Sequence, residues 1–162
     1  MPSVDVVSKV DLQALDNATN NVKRDISTRY DFKNIKSDIT FDRKEKIIHI
    51  VSEDDLRVRS IIEVLIKQCV RLKVDPKCMR QKEIEASGKT AKVDVQVKEG
   101  IPKETCQKIV RFIKDLKLKV QPIIQDDQVR VSGRNIDDLQ EIMRLLTEQD
   151  FDIPLQFVNM KS

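Results

Sequence analysis

Aromatic side chains are scarce in this chain of 162 residues, which has no tryptophan, one tyrosine and five phenylalanines. Sheets that read single-stranded RNA by stacking gain about 1–3 kcal/mol for each base laid on a ring. The central strands expected here, residues 46–52 and 128–132, hold no Phe, Tyr or Trp, so stacking readout of that kind is disfavoured. Histidine occurs once, at His49. That excludes a multi-histidine metal centre and leaves a His-based triad without partners, so His49, in mid-strand, reads as structural. The three cysteines, Cys69, Cys78 and Cys106, are an odd number without paired spacing. They read as buried thiols of a reducing cytoplasm and not as a disulfide frame.

Glycine (3) and proline (5) are few, which argues for an ordered chain. The one imitation of a phosphate loop, Ala86-Ser87-Gly88-Lys89-Thr90, has Glu83 where the first glycine belongs and a strand where a helix should begin. No apolar run approaches the ~20 residues of a membrane span, and the N-terminal residues lack a signal-peptide core. A cytoplasmic protein without a membrane partner is expected. The net charge is only +3 and no DNA-binding motif is present, so affinity for an anion must come from a local patch.

What the chain does contain is a repeat. Ile50-Val51-Ser52 opens onto a helical run from Asp54 to Leu72, and Arg130-Val131-Ser132 onto one from Asn135 to Leu146. At an offset of eighty, Leu56 pairs with Ile136, Ile62 with Ile142 and Leu65 with Leu145. Each run is preceded by another strand and another amphipathic helix, which predicts an α+β chain of two ferredoxin-like βαββαβ lobes. The lobes are expected at 1–86 and 87–162, with the joint at Ser87-Gly88.

In detail, Ser3–Val7 and Ala91–Val97 alternate as half-buried strands. Asp11 is placed to cap a helix to about Ile26, and Ser52 with Asp55 resembles a capping box for the second helix. Tyr30–Ile35 and Ile39–Arg43 read as one interrupted strand. Cys78–Glu85 reads as a strand, and Ile153–Val158 as the closing one. Cys106, Ile109, Val110, Ile113 and Leu116 form the stripe of a third helix, and Asn135 with Asp138 is expected to cap the fourth. Because Lys46–Val51 is apolar at Ile47, Ile48, Ile50 and Val51, both faces of that strand are expected to be covered.

With both helices on one side of a sheet, the other side is left clear. In the second lobe that side would present Lys92, Gln96, Lys98, Lys119, Gln121, Gln128, Arg130 and Gln156, with Asp94 as the single acid. Cations interleaved with amides can hold phosphate and meet base edges. Arg134, after Ser132-Gly133, stands where a strand enters a helix and where backbone N–H groups can receive an anion. The basic run Lys103, Lys108, Arg111, Lys114, Lys117 and Lys119 reads as the solvated side of the third helix.

Several segments in order, MPSVDVVSKVDLQ, STRYDFKNI, KEKIIHIVSEDDL, EGIPKETCQKIVRFIKDLKLKVQ, QVRVSGRNIDDLQ and PLQFVN, resemble the YajQ family of small bacterial proteins. The resemblance implies two ferredoxin-like lobes and admits an exchange of first strands, about 3–8 and 91–98, between them. It also implies nucleotide binding, with cyclic dinucleotides and RNA as suggested ligands, and no catalysis. Compared with the family, rings are missing at Val4, Leu155 and Met160, and Asp126 replaces a glycine. Under the exchange, Lys92, Gln96 and Lys98 leave the proposed face and Asp5 enters it.

The ligand-binding residues expected are therefore Lys119, Gln121, Gln128, Arg130 and Arg134, in a non-catalytic regulatory protein without cofactor or metal. A protein-interaction module that binds anions incidentally is the competing expectation. An acylphosphatase-like enzyme would need an arginine in the loop after a first strand, and residues 7–11 and 98–102 contain none.

Overall fold

A computed structural model describes every residue from Met1 to Ser162. The chain forms nine strands and four α-helices: β1 (Ser3–Val7), α1 (Leu12–Thr28), β2 (Asp38–Asp42), β3 (Ile47–Ser52), α2 (Asp55–Arg71), β4 (Met79–Gln81), β5 (Glu85–Ser87), β6 (Thr90–Val97), α3 (Lys103–Asp115), β7 (Val120–Gln125), β8 (Gln128–Gly133), α4 (Ile136–Glu148) and β9 (Gln156–Lys161). Two antiparallel sheets result, ordered β7-β8-β1-β9 and β2-β3-β6-β4, with β5 also paired to β6. Both have the ferredoxin-like strand order.

Residues Val10–Lys98 form one compact unit, and Met1–Lys9 with Glu99–Ser162 form the other. We call them the inserted lobe and the split lobe. The first strand of each sheet is borrowed from the opposite half of the sequence. Strand β1 lies between β8 and β9, and β6 lies between β3 and β4. Gly88, at φ +61, turns β5 back into β6 within a single sheet, and the chain passes between lobes at residues 9–10 and 98–99.

Each core is an apolar stripe from two helices laid on alternate strand residues. The inserted lobe buries Val22, Val58, Ile61 and Leu65 against Ile39, Ile48, Ile50, Val93 and Val95. The split lobe buries Ile109, Ile113, Leu139, Ile142 and Leu146 against Val4, Val6, Val129 and Val131. These pairs correct the repeat. Buried Ile61 corresponds to Ile142, Leu65 to Leu146, and the Asp54 cap position to that of Asn135, an offset of 81 and not eighty. The strands agree, since Ile48 and Ile50 occupy the core parity that Val129 and Val131 occupy. A slip of one residue exchanges the two faces of a strand, so the correction decides which side chains look outward.

Other local expectations change as well. Tyr30–Phe32 is a 3₁₀ turn and not a strand; Phe32 is buried, and Arg29 pairs with Asp31 across it. Asp54, not Ser52, caps α2 by accepting from the Arg57 N–H, while the Ser52 hydroxyl meets that of Ser37 at 3.0 Å. Asn135 makes no side-chain cap bond. The closing strand starts three residues later than expected, leaving Ile153 buried ahead of it. Ile48 and Ile50 are covered by their own lobe's helices, so the outward residues of β3 are Ile47, His49 and Val51.

Candidate functional site

Strand parity sets what each helix-free face presents. In the split lobe, Val129 and Val131 point to the core, so Gln128, Arg130 and Ser132 point the other way. The ladder brings Ser3 opposite Ser132, Asp5 opposite Arg130, and Gln121 opposite Ser132 on the far side. Ile123 also pairs with Arg130, and Gln125 with Gln128. Of the expected residues, Gln121, Gln128 and Arg130 thus share one face, and Lys119 continues the Gln121 parity just before β7.

The centre of that face is not free. The Arg130 guanidinium donates to both Asp5 oxygens, Nε–Oδ1 at 2.8 Å and Nη2–Oδ2 at 3.2 Å, and Asn159 Nδ2 adds a third bond at 3.0 Å. The Asp5 side chain is 2% exposed and that of Arg130 39%. A bidentate arginine is the strongest ordinary partner for a buried carboxylate. The Arg130 bond, reinforced by Asn159 and opposed by burial, holds the Asp5 carboxyl below the usual carboxylate range. The charge of Arg130, expected to meet phosphate, is thus paired with a carboxylate of the protein itself while its side chain stays part-exposed. What remains accessible lies toward the β7 edge: Lys119, Gln121 and the half-exposed Ile123.

Arg134 lies apart from this patch, exposed in the turn after β8. Asp137 and Asp138 fill the first turn of α4, and these acids oppose an anion at that helix end. Gly133 faces the core where a Cβ would stand 3.0 Å from Val120 Cγ1, so it lets β7 close onto β8. Val4 also faces the core, and its missing ring takes nothing from the helix-free surface.

The inserted lobe carries a counterpart that sequence reading missed. His49 on β3 lies opposite Asp94 on β6, with Nδ1 2.7 Å from Oδ1. By the offset of 81, His49 matches Arg130, and Asp94 matches Asp5 in the borrowed strand. Each helix-free face thus has an acid–base pair at its centre. The Asp94 pair is open, its side chains 49% and 45% exposed. The signal in the sequence was parity: His49 alternates with buried Ile48 and Ile50 and so had to point outward.

Two permuted ferredoxin-like lobes, each with one sheet face clear of helices and a hydrogen-bonded carboxylate at its centre, define a double ferredoxin-like α+β protein. The chain belongs to the YajQ-like family of nucleotide-binding proteins, whose description, "Nucleotide-binding protein YajQ-like", matches residues 2–161. It is similar to a nucleotide-binding protein of Dehalococcoides mccartyi, 56% identical over 99% of both chains. It is also similar to one of Nitratidesulfovibrio vulgaris, 54% identical over the full length of both, and to one of Cytophaga hutchinsonii, 46% identical over 99% of this chain and 100% of that one.

Proposed function

We propose that the chain is a non-catalytic, cytosolic regulatory protein that binds a nucleotide-class ligand on the helix-free face of its split lobe. The class comprises mononucleotides, cyclic dinucleotides and short RNA. The observation that carries the reading is a row of cation and amides on one face of the β7–β8 hairpin, Lys119 and Gln121 at its open end and Gln128 beside its turn, on a sheet whose helices α3 and α4 both lie on the other side. Lys119 supplies charge for phosphate, while Gln121 and Gln128 offer both donors and acceptors to a base or ribose. Arg130, fixed by Asp5, keeps N–H groups for hydrogen bonding and contributes direction more than charge. The names of the relatives, all nucleotide-binding proteins, support the same class.

A second reading, a protein-interaction module, is favoured by one observation. Ile123 and Ile124 are exposed on β7, which is an edge strand. The two readings separate in one titration. Lys119→Ala with Gln128→Ala should weaken nucleotide binding at least tenfold and flatten its salt dependence. Unchanged affinity in this double variant would reject the face. Arg130 is left in place, because its removal strands the buried Asp5 carboxylate and confounds binding with stability.

A further inference from the structure

The helix-free face of the inserted lobe carries a recess of about 500 Å³, lined by His49, Val51, Lys82, Glu85, Lys92 and Asp94 among others. That is a volume in the range of small-ligand sites. We propose that this recess is a second nucleotide site, one that selects ribose over 2′-deoxyribose. The proposal rests on the reading above that the chain binds nucleotides, and adds a place and a chemical preference.

The first support is the contrast between the two central carboxylates. Asp5 uses both oxygens on Arg130 and Asn159 and is closed to solvent. Its counterpart Asp94 meets His49 through Oδ1 alone, and Oδ2 has no protein partner. An ionised carboxylate only accepts hydrogen bonds, so an exposed, oriented one suits a ligand that donates. The hydroxyls of a ribose do so, and an acidic side chain on ribose hydroxyls is a recurrent solution in nucleotide sites. The 2′-hydroxyl is also the group by which a protein tells ribose from deoxyribose.

The second support is the rim. The strand facing the middle of β6 is interrupted, since β4 ends at Gln81 and β5 begins at Glu85. The intervening segment stays attached through the Lys82 N–H, which donates to the Asp94 carbonyl at 3.0 Å. This places Lys82 and Glu85 beside the recess. Glu85, 3.8 Å from the Lys92 amine, adds a second acceptor, whereas the Lys82 amine engages no acid. Interrupted pairing of this kind is enriched beside binding sites, where it re-aims side chains.

The third support is shape. The exposed imidazole of His49 and the neighbouring side chain of Val51, 39% exposed, offer a flat, partly apolar patch to a base. Glu83, Glu85 and Asp94 stand against only two lysines, Lys82 and Lys92, and His49 around the recess, so a ligand with one phosphate suits it better than a polyanion. Lys82 takes the phosphate, Asp94 and Glu85 take the sugar hydroxyls, and His49 takes the base.

The test is an NMR titration of the ¹⁵N-labelled full chain with adenosine 5′-monophosphate, repeated with its 2′-deoxy analogue. The resonances read are the His49 ring and the amides of β3, β6 and β7. Saturable shifts around His49, Val51 and Lys92, about tenfold weaker with the deoxy analogue, are expected; that factor is the loss of one hydrogen bond to a charged acceptor. Asp94→Asn should remove the discrimination, and His49→Phe, which keeps a flat ring, should bind better than His49→Ala. Dispersed spectra of the variants will report that they fold. Equal binding of both nucleotides would overturn the ribose assignment. Shifts confined to Lys119 and Gln121 would overturn the second site while leaving the first reading intact. No shift anywhere at millimolar nucleotide would overturn both.

Discussion

Arg130 holds both oxygens of Asp5 across adjacent strands, although the two residues lie 125 positions apart in sequence. The pair ties the first strand of the chain to its sheet at the centre of the ladder.

Replacing Asp5 with Asn should therefore cost about 1.5–3 kcal/mol, the range for a hydrogen bond to a charged group. The pH dependence has a definite sign. The folded-state pKa of Asp5 lies below its unfolded value, so its contribution is full above the unfolded pKa of about 3.9 and fades as pH falls toward the folded one. Urea titrations between neutral pH and a pH below that unfolded value should show the wild type losing this increment while Asp5→Asn does not. Parallel acid curves would refute the assignment.

The corrected offset predicts which equivalent residues matter for stability. Ile61→Ala and Ile142→Ala, both at fully buried positions, should each cost about 2–5 kcal/mol. Leu56→Ala and Ile136→Ala, paired by the offset of eighty, are at exposed positions and should stay within about 0.5 kcal/mol. Denaturant midpoints of the four variants decide between the registers.

Burial pushes the Cys69 thiol up to about 12, with Cys78 adding to the effect, and burial followed by the Asp75 charge pushes Cys78 up to about 11. Cys106 moves in the same direction, again mainly by burial and then by Asp127. All three cysteines are free and buried. A disulfide reagent at mildly alkaline pH should leave them untouched in the native protein and label all three in guanidinium. Rapid labelling of any of them in the native state would contradict the packing described.

Much of the architecture is legible because the two periodicities are plain. Ala91, Val93, Val95 and Val97 alternate cleanly, and all four are buried in β6. Cys106, Ile109 and Ile113 mark the buried side of α3 as their spacing predicts. The register of the repeat was harder to read. Adjacent apolar residues such as Ile61-Ile62 and Leu145-Leu146 let either offset match, and the shared serines Ser52 and Ser132 favoured the wrong one. Only the partner strands break the tie.

The site was less legible for a related reason. An acid at Asp5, flanked by Val4 and Val6, signals that a partner is needed but not which one. Arg130 becomes that partner only because β1 crosses into the later half of the chain. Lys119, Gln121 and Gln128 keep their side of the sheet under either arrangement, since β7 and β8 form a simple hairpin. Tyr30–Ile35 misled through composition: its rings and isoleucine favour strands, but Tyr30–Phe32 coils into a 3₁₀ turn and Asn34 follows at φ 62.

The borrowed first strand sets a waiting time on the ribosome. Its valines emerge well before their neighbour β8, which is complete only when Gly133 has been made, and β9 follows later still. At about 5–20 residues per second, the 125 positions from Asp5 to Arg130 take roughly 6–25 s to synthesise. Throughout that interval the short apolar strand β1 is without its sheet. The uninterrupted stretch Val10–Lys98, one compact unit, is synthesised whole within that interval. The order of translation thus completes the chain of the inserted lobe before that of the split lobe, although β1 is made ahead of both.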